Sequence, residues 1–383
     1  MKLRAVPGWA WGLGLLAIAV AAEIGLPVVV RDSSIRQLVM LGAVNVLIGL
    51  SLNIINGMAG QFSIGHAGFV GVGAYTAAIV MSNLHASFPG EVTLVRGFAF
   101  VPLSVLAGAT VSAFFGFLVG LPSLRLRGDY LAIVTLGFAE IFRLLIATAS
   151  AGKNQGGLGG LLASLGGQNG YAGPDRQGVP QYAGPFWLFL AVFAMIVFSL
   201  RLKFSGWGRA LRALREDEIA AAAVGVDPTR YKVTSFVLAA ATAGAAGSLL
   251  ATMRDGSPTT QPDQFTFAAS FDAITMVILG GSGSISGAVL GGLFVTFTIK
   301  AIELVQATDA VQGFRTNHEW LDLNALRMLV YAAVLIAVML LRPEGVFGER
   351  ELFGFRADEG DDDAPPAAPP SPPGAHEESA PTV

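Results

Sequence analysis

The sequence predicts an all-α, polytopic transmembrane helical bundle of about ten membrane segments, some of them broken or re-entrant. Three observations carry that expectation. Hydrophobic residues make up 53% of the 383 positions and charged residues 13%, with a mean hydropathy of +0.61, far more apolar than a water-soluble fold can hide. Apolar stretches near the roughly 20 residues that cross a hydrocarbon core recur along the chain. The 48 glycines suit helices in lipid, where close packing of small residues holds a bundle together.

The first stretch, Trp9 to Val30, follows Lys2 and Arg4 and contains an Ala19-Val20-Ala21 triplet, the outline of a secretory signal. Its apolar character continues past Glu23 for the length of a span, so it is read as an uncleaved first helix. The next spans are expected at about Arg36 to Asn56, Met58 to Met81, Phe98 to Leu121, Leu131 to Ser150 and Pro185 to Leu202. Four more follow at about Val233 to Met253, Ala269 to Gly281, Ser286 to Val305 and Ala325 to Leu341. The stretch ending at Gly281 is short for a span. Met58 to Gly73 is so rich in glycine that a broken or re-entrant helix is expected there.

With ten spans and a cytoplasmic N-terminus, the inner segments hold Lys2, Arg4, Arg125, Arg127, Arg201, Lys203, Arg209, Arg212, Arg215, Arg230, Lys232, Arg342, Arg350 and Arg356. These are more than half of the 24 basic residues, so the positive-inside bias supports this orientation, with both termini cytoplasmic. Residues 1–356 form the transmembrane domain. The longest inner loop, residues 203–232, reads as an alanine-rich surface helix with a charged face, closed by Gly225 and Pro228. Its interleaved basic and acidic residues suit a protein partner better than anionic lipid. Residues 357–383 are acidic and proline-rich, and are expected to be a disordered cytoplasmic tail.

An internal echo links two glycine-rich stretches: Gly60, Ser63, Ile64, Ala67 and Gly71 recur at constant offset as Gly281, Ser284, Ile285, Ala288 and Gly292. Such duplications occur in transporters, and also arise by chance in a chain this rich in small residues. The GxxxG steps Gly283-Gly287-Gly291 and Gly116-Gly120 read as helix-packing contacts.

Several kinds of chemistry are excluded. The chain has no cysteine and no GxxxxGK[ST] phosphate loop; its nearest approach, Gly152-Lys153, is followed by Asn154. It is therefore not itself an ATPase. His66, His85, His318 and His376 lack metal-ligand spacing, and no serine sits in a GxSxG elbow, so no catalytic residue, metal site or cofactor site is assigned.

What remains are polar groups inside apolar spans. Asn45, Asn53 and Asn56 punctuate the second span, and Gln61, Ser63 and His66 open the third. Burial in lipid is costly, so they face one another, a neighbouring helix or a water-filled path. Singly, each fits an interhelical hydrogen bond; clustered in a glycine-broken stretch, they favour a path. Glu140 and Arg143 lie one turn apart near the middle of the fifth span, and either complement a zwitterionic solute or neutralise each other.

The segments LSLNIINGMAGQFSIGHAGFVGVGAY, LRLRGDYLAIVTLGFAEIFR, GWGRALRALREDEIAAAAVGVDPTRYK, MVILGGSGSISGAVLGG and LRPEGVFG together resemble the branched-chain amino acid permease family of ABC importers, most closely its M-type subunit. The resemblance runs from about Ile35 to Gly348. It implies a bacterial plasma-membrane heterodimer with an H-type permease, two cytoplasmic ATPase subunits that bind ATP and Mg, and a periplasmic solute-binding protein. It implies no nucleic-acid partner. The loop segment then resembles a coupling helix that docks in the ATPase, with Arg212, Arg215, Glu216, Asp217, Glu218, Ala221 and Gly225 as its coupling residues. Asn53, Asn56, Gln61, Ser63, His66, Glu140 and Arg143 are the candidate translocation path. Relatives that carry urea, short amides or other amino acids leave the solute open. An ion-coupled secondary transporter or channel is the alternative of a different class, which needs no ATPase and hence no docking loop.

Overall fold

The computed structural model describes residues 8–123, 130–149 and 164–306, with 333, 336, 340, 341, 345, 348 and 351. Arg125, Arg127, Gly152-Lys153, His318, His376 and the tail at 357–383 lie outside the described residues. Of the tenth expected span, 325–341, only 333, 336, 340 and 341 are described, and all four are helical.

Nine of the expected spans appear in order as helices. They are α1 (Gly8–Val29), α2 (Ser33–Asn53), α3 (His66–Ser87), α4 (Leu94–Ser123), α5 (Tyr130–Thr148), α6 (Pro185–Lys203), α9 (Pro228–Thr252), α10 (Phe267–Gly280) and α11 (Ile285–Gln306). Among the described residues, seven helices are long and apolar enough to cross a membrane, with Leu16–Val29 and Phe267–Gly280 shorter apolar pieces. The sequence supplies their stops and starts. Asp32 accepts from the Ser34 amide to cap α2, Asp227 accepts from Arg230 to cap α9, and Pro185 and Pro228 sit in first turns, where a missing N–H is harmless.

Two elements differ from the sequence expectation. The third span begins at His66 rather than Met58, because α2 runs on through a π-helical turn, Ile54–Met58, and then breaks into a non-helical connector at 59–65. Loop 203–232 holds two helices instead of one, α7 (Gly206–Glu216) and α8 (Glu218–Ala223). Asp217 divides them: its carboxylate accepts from the amides of Ile219 and Ala220 at 2.8 and 3.0 Å, which starts a new helix. Gly225, at φ +89°, ends α8.

Helices α3, α4 and α9 form the centre, and glycine sets their spacing. A Cβ on Gly73 would lie 2.1 Å from the Gly244 carbonyl oxygen, and one on Gly247 1.9 Å from that of Val70. Helix α11 packs on α10 the same way, with Gly287 against Gly280 and Gly291 against the Met276 carbonyl. Of the GxxxG residues, Gly287 and Gly291 thus lie in helix contacts, as do Gly116 and Gly120, which meet Ala240 and Phe236 of α9. Gly283, at φ +89°, instead lies in the loop before α11 and faces Arg215 and Gly57.

The connectors sort to two ends. At one, Tyr171 and Thr260 exchange backbone hydrogen bonds, and Arg36 with Asp255 and Arg254 with Glu23 form ion pairs at 3.2 and 2.9 Å. At the other, the loop end, the last π-helical residues with the 59–65 connector, the loop at 281–284, Lys203 and α7 meet. The two echoed stretches both turn there: Gly60 and Gly281 have φ of +65° and +113°, and Ser63 and Ser284 are both fully buried.

Candidate functional site

The polar residues of the second and third spans gather at the loop end, where α2 breaks. Asn53 is fully buried in the last turn of α2, and its side chain clasps the other glycine loop. Its Oδ1 accepts from the Gly283 amide at 2.9 Å and its Nδ2 donates to the Ser284 carbonyl at 3.2 Å. Asn45, two turns earlier, donates to Thr296 of α11. These two asparagines fasten helices together.

The others are less satisfied. Asn56 Oδ1 accepts from the Ser63 amide at 3.2 Å, but its buried Nδ2 has no partner among the described residues. Both amide atoms of Gln61, the Ser63 hydroxyl and His66 Nδ1 are likewise buried with no partner there, while His66 Nε2 and the Ser51 hydroxyl are 2.7 Å apart. A buried donor or acceptor left unpaired costs about 1–3 kcal/mol. Five such atoms, without a partner among the described residues, fall within the stretch from Asn56 to His66. The glycines keep it narrow: a Cβ on Gly65 would lie 1.7 Å from the Thr135 carbonyl oxygen, and the Thr135 hydroxyl accepts from the Ile64 and Gly65 amides.

Helix α5 runs from this connector toward the opposite end and carries the charged pair on its way. Arg143 Nε donates to Glu140 Oε2 at 2.9 Å, and Arg143 Nη1 lies 3.7 Å from Asp263 in the 3-10 turn Pro262–Phe265. The pair therefore neighbours a third charge that sequence spacing did not suggest. Aromatic residues of α5 lie in the chain between Thr135 and Arg143: Phe69 stacks on Phe138 at 4.9 Å between centroids, and Tyr75 meets Phe142 and Phe265 edge-on.

The surface helices divide the coupling candidates by direction. Arg212 lines a surface cavity of about 270 Å³ with Arg209, Ala213, Arg215 and Glu216, and its buried Nε has no partner among the described residues. Glu216 is exposed and accepts from Arg215, Glu218 pairs with Lys232, Ala221 is buried beneath α8, and Asp217 is the cap already described. A Cβ on Gly225 would meet nothing, so its left-handed φ explains the glycine there. Ile219 and Val224 stand 84% and 80% exposed, apolar groups beside charged ones as at a protein interface. Arg215 turns its guanidinium inward: Nη1 donates to the Gly57 carbonyl at 2.9 Å.

Sequence reasoning missed the partners that fix this end. Lys203, nearly buried, donates to the Gly283 carbonyl at 2.8 Å and to Glu351 Oε1 at 2.6 Å. Glu351 in turn accepts from the Ile285 and Ser286 amides and the Ser286 hydroxyl at the start of α11. Burial by itself would raise the Glu351 pKa, but the Lys203 ammonium and these donors outweigh it and hold the carboxyl below the usual range. Thr135, Ser51 and Ser270, which accepts from the Ala67 amide, were also not signalled.

Comparison with known proteins adds an independent line. The family described as branched-chain amino acid transport system / permease component matches residues 34–339. The chain is 34% identical over 353 residues to the high-affinity branched-chain amino acid transport system permease protein LivM of Salmonella typhimurium, covering 87% of this chain and 73% of that one. It is 33% identical, at the same coverage, to the LivM protein of Escherichia coli. It is also 26% identical to the LivH permease protein of Escherichia coli, covering 82% of this chain and 94% of that one. No solved structure matches the chain.

Proposed function

The chain belongs to the branched-chain amino acid transport system permease family, on its M-type side, and from that premise we propose how its geometry serves an importer. It is the membrane-spanning subunit of an ABC importer, paired with an H-type permease, as the resemblance to both LivM and LivH supports. Two ATPase subunits engage α7 and α8, and these subunits, not this chain, bind ATP and Mg. A solute-binding protein delivers the solute at the opposite end. The loop end is then cytoplasmic, both termini lie on that side, and the membrane is the bacterial plasma membrane, in keeping with the basic residues of the loop.

The observation that carries the reading is the set of buried polar atoms that have no partner among the described residues, in and beside the broken α2–α3 connector, at the same end as the charged loop. Transport by alternating access needs a polar route that opens where the motor acts, and broken helices supply one. Gln61, Ser63, His66 and Asn56 offer donors and acceptors to a passing zwitterion. Glu140 and Arg143, with Asp263 beside them, offer both signs of charge on the way in. Their hold on the solute need only be transient.

The test is uptake by vesicles reconstituted with this chain, its partner permease, both ATPases and the binding protein. Labelled leucine is expected to accumulate only with ATP on the ATPase side, and Glu140→Gln or Arg143→Gln is expected to lower uptake several-fold without preventing insertion. Uptake of urea in place of leucine overturns the choice of solute. Uptake driven by an ion gradient without ATPases overturns the importer class.

A further inference from the structure

The charged loop is tied to the bundle at two points, and the ties differ in kind. Lys203 opens the loop and Arg215 stands in the last turn of α7. Each turns back into the bundle and donates to a carbonyl of a different glycine loop, Lys203 to Gly283 and Arg215 to Gly57. Arg215 also fills the space beside Gly60, where a Cβ would lie 2.4 Å from its Cγ, and a Cβ on Gly283 would lie 3.3 Å from its Nη1. The two loops are joined to each other through the Asn53 side chain. What moves one therefore moves both.

The Lys203 tie is closed to water. Its side chain is 9% exposed and that of Glu351 2%, and Glu351 also holds the start of α11, so parting them strands two buried charges. The Arg215 tie is open. Its side chain is 24% exposed, and its carboxylate neighbour Glu216 is 73% exposed, so a partner or solvent can compete for the guanidinium. Between the ties, α7 rests on the bundle through Gly208, Leu211 and Leu214.

We infer that α7 pivots about the Lys203–Glu351 anchor, and that Arg215 is the positioning residue that transmits this movement to the paired glycine loops at 57–60 and 281–284. Arg215 touches neither solute nor nucleotide in this scheme; it makes the broken helices follow the motor. The inference rests on the reading that ATPases engage this loop.

The test uses the assembled transporter in vesicles, with Arg215→Ala, Arg215→Lys and Gly60→Ala. In Arg215→Ala the ATPases are expected to co-purify as in the wild type, while solute taken up per ATP hydrolysed falls about tenfold or more, the scale of losing a charge-assisted hydrogen bond that couples two elements. Arg215→Lys is expected to fall less, since an ammonium still reaches a carbonyl but loses the planar fit beside the glycines. Gly60→Ala, which displaces the Arg215 stem and strains a left-handed φ, is expected to resemble Arg215→Ala.

A merely structural role is excluded by distance. The chain has no cysteine, so Ala213→Cys and Ser282→Cys take two unique spin labels. Their separation is expected to stay constant between nucleotide-free and ATP-bound states with Arg215 present, and to change with nucleotide in Arg215→Ala. A wild-type coupling ratio in Arg215→Ala, or a constant separation in that variant, overturns the inference. Loss of ATPase co-purification overturns it too, by placing Arg215 in the docking surface. If Arg215→Ala does not accumulate, the same readings on Arg215→Lys and Gly60→Ala decide. Absence of ATP-dependent uptake in the wild type instead fails the importer reading beneath it.

Discussion

Glu351→Ala is expected to cost the folded protein roughly 3–5 kcal/mol, measured as loss of thermal stability in detergent, because it leaves a buried ammonium without its counter-charge. Among the described residues Lys203 would keep the Gly283 carbonyl as its hydrogen-bond acceptor, and the Ile285 and Ser286 amides at the start of α11 would lose theirs. Lys203→Met is expected to cost less, since Glu351 retains three donors from Ile285 and Ser286. The double variant is expected to fall well short of the sum, as for any pair whose members share one interaction. The sign with pH follows from the lowered Glu351 pKa. A carboxyl depressed in the folded state contributes fully above its unfolded value, about 4.3, and that contribution fades as pH falls through the lower folded value. Acid destabilisation below about pH 4 is therefore expected to be shallower in Glu351→Gln than in the wild type.

Gly247→Ala is expected to abolish accumulation of the folded chain, and Gly73→Ala to do nearly the same. In each case the new methyl would meet backbone, 1.9 Å from the Val70 oxygen and 2.1 Å from the Gly244 oxygen, and backbone cannot rotate aside. Helices α3 and α9 would have to part along their whole contact, which exceeds the roughly 1–3 kcal/mol typical of overpacking a side chain. The control is Gly137→Ala in α5, where a Cβ meets nothing within 4 Å. There the better helix propensity of alanine is expected to leave stability unchanged or raise it by up to about 1 kcal/mol. Equal yields of Gly247→Ala and Gly137→Ala would contradict the packing described for the centre of the bundle.

The spans were legible because an apolar run of the right length admits few other structures, and their order and approximate ends follow from it. A break within Met58 to Gly73 was legible from glycine density, but not the π-helical turn before it or the delay of α3 to His66, which depend on how the connector seats against Thr135 and Ser270. The split at Asp217 was available in principle, since an aspartate before Ile219 and an alanine run is a capping signal; the continuous amphipathic pattern concealed it. Partners far apart in sequence were not legible. Lys203 with Glu351, Arg143 with Asp263 and Asn53 with Gly283 are set by tertiary packing, and spacing carries no trace of them. Charge patterning likewise marked Arg215 as a loop residue without showing that its guanidinium turns inward to Gly57.

Engagement of α7 and α8 by ATPases requires both helices on the cytoplasmic side of the membrane, and single cysteines in this cysteine-free chain measure that directly. Cysteine at Ala213 or Ser282 is expected to react with an impermeant maleimide only from the cytoplasmic face, and cysteine at Ser257, beside Asp255, only from the opposite face. Labelling of Ala213→Cys from the outside of intact cells would contradict the orientation, and with it the engagement of this loop by ATPases.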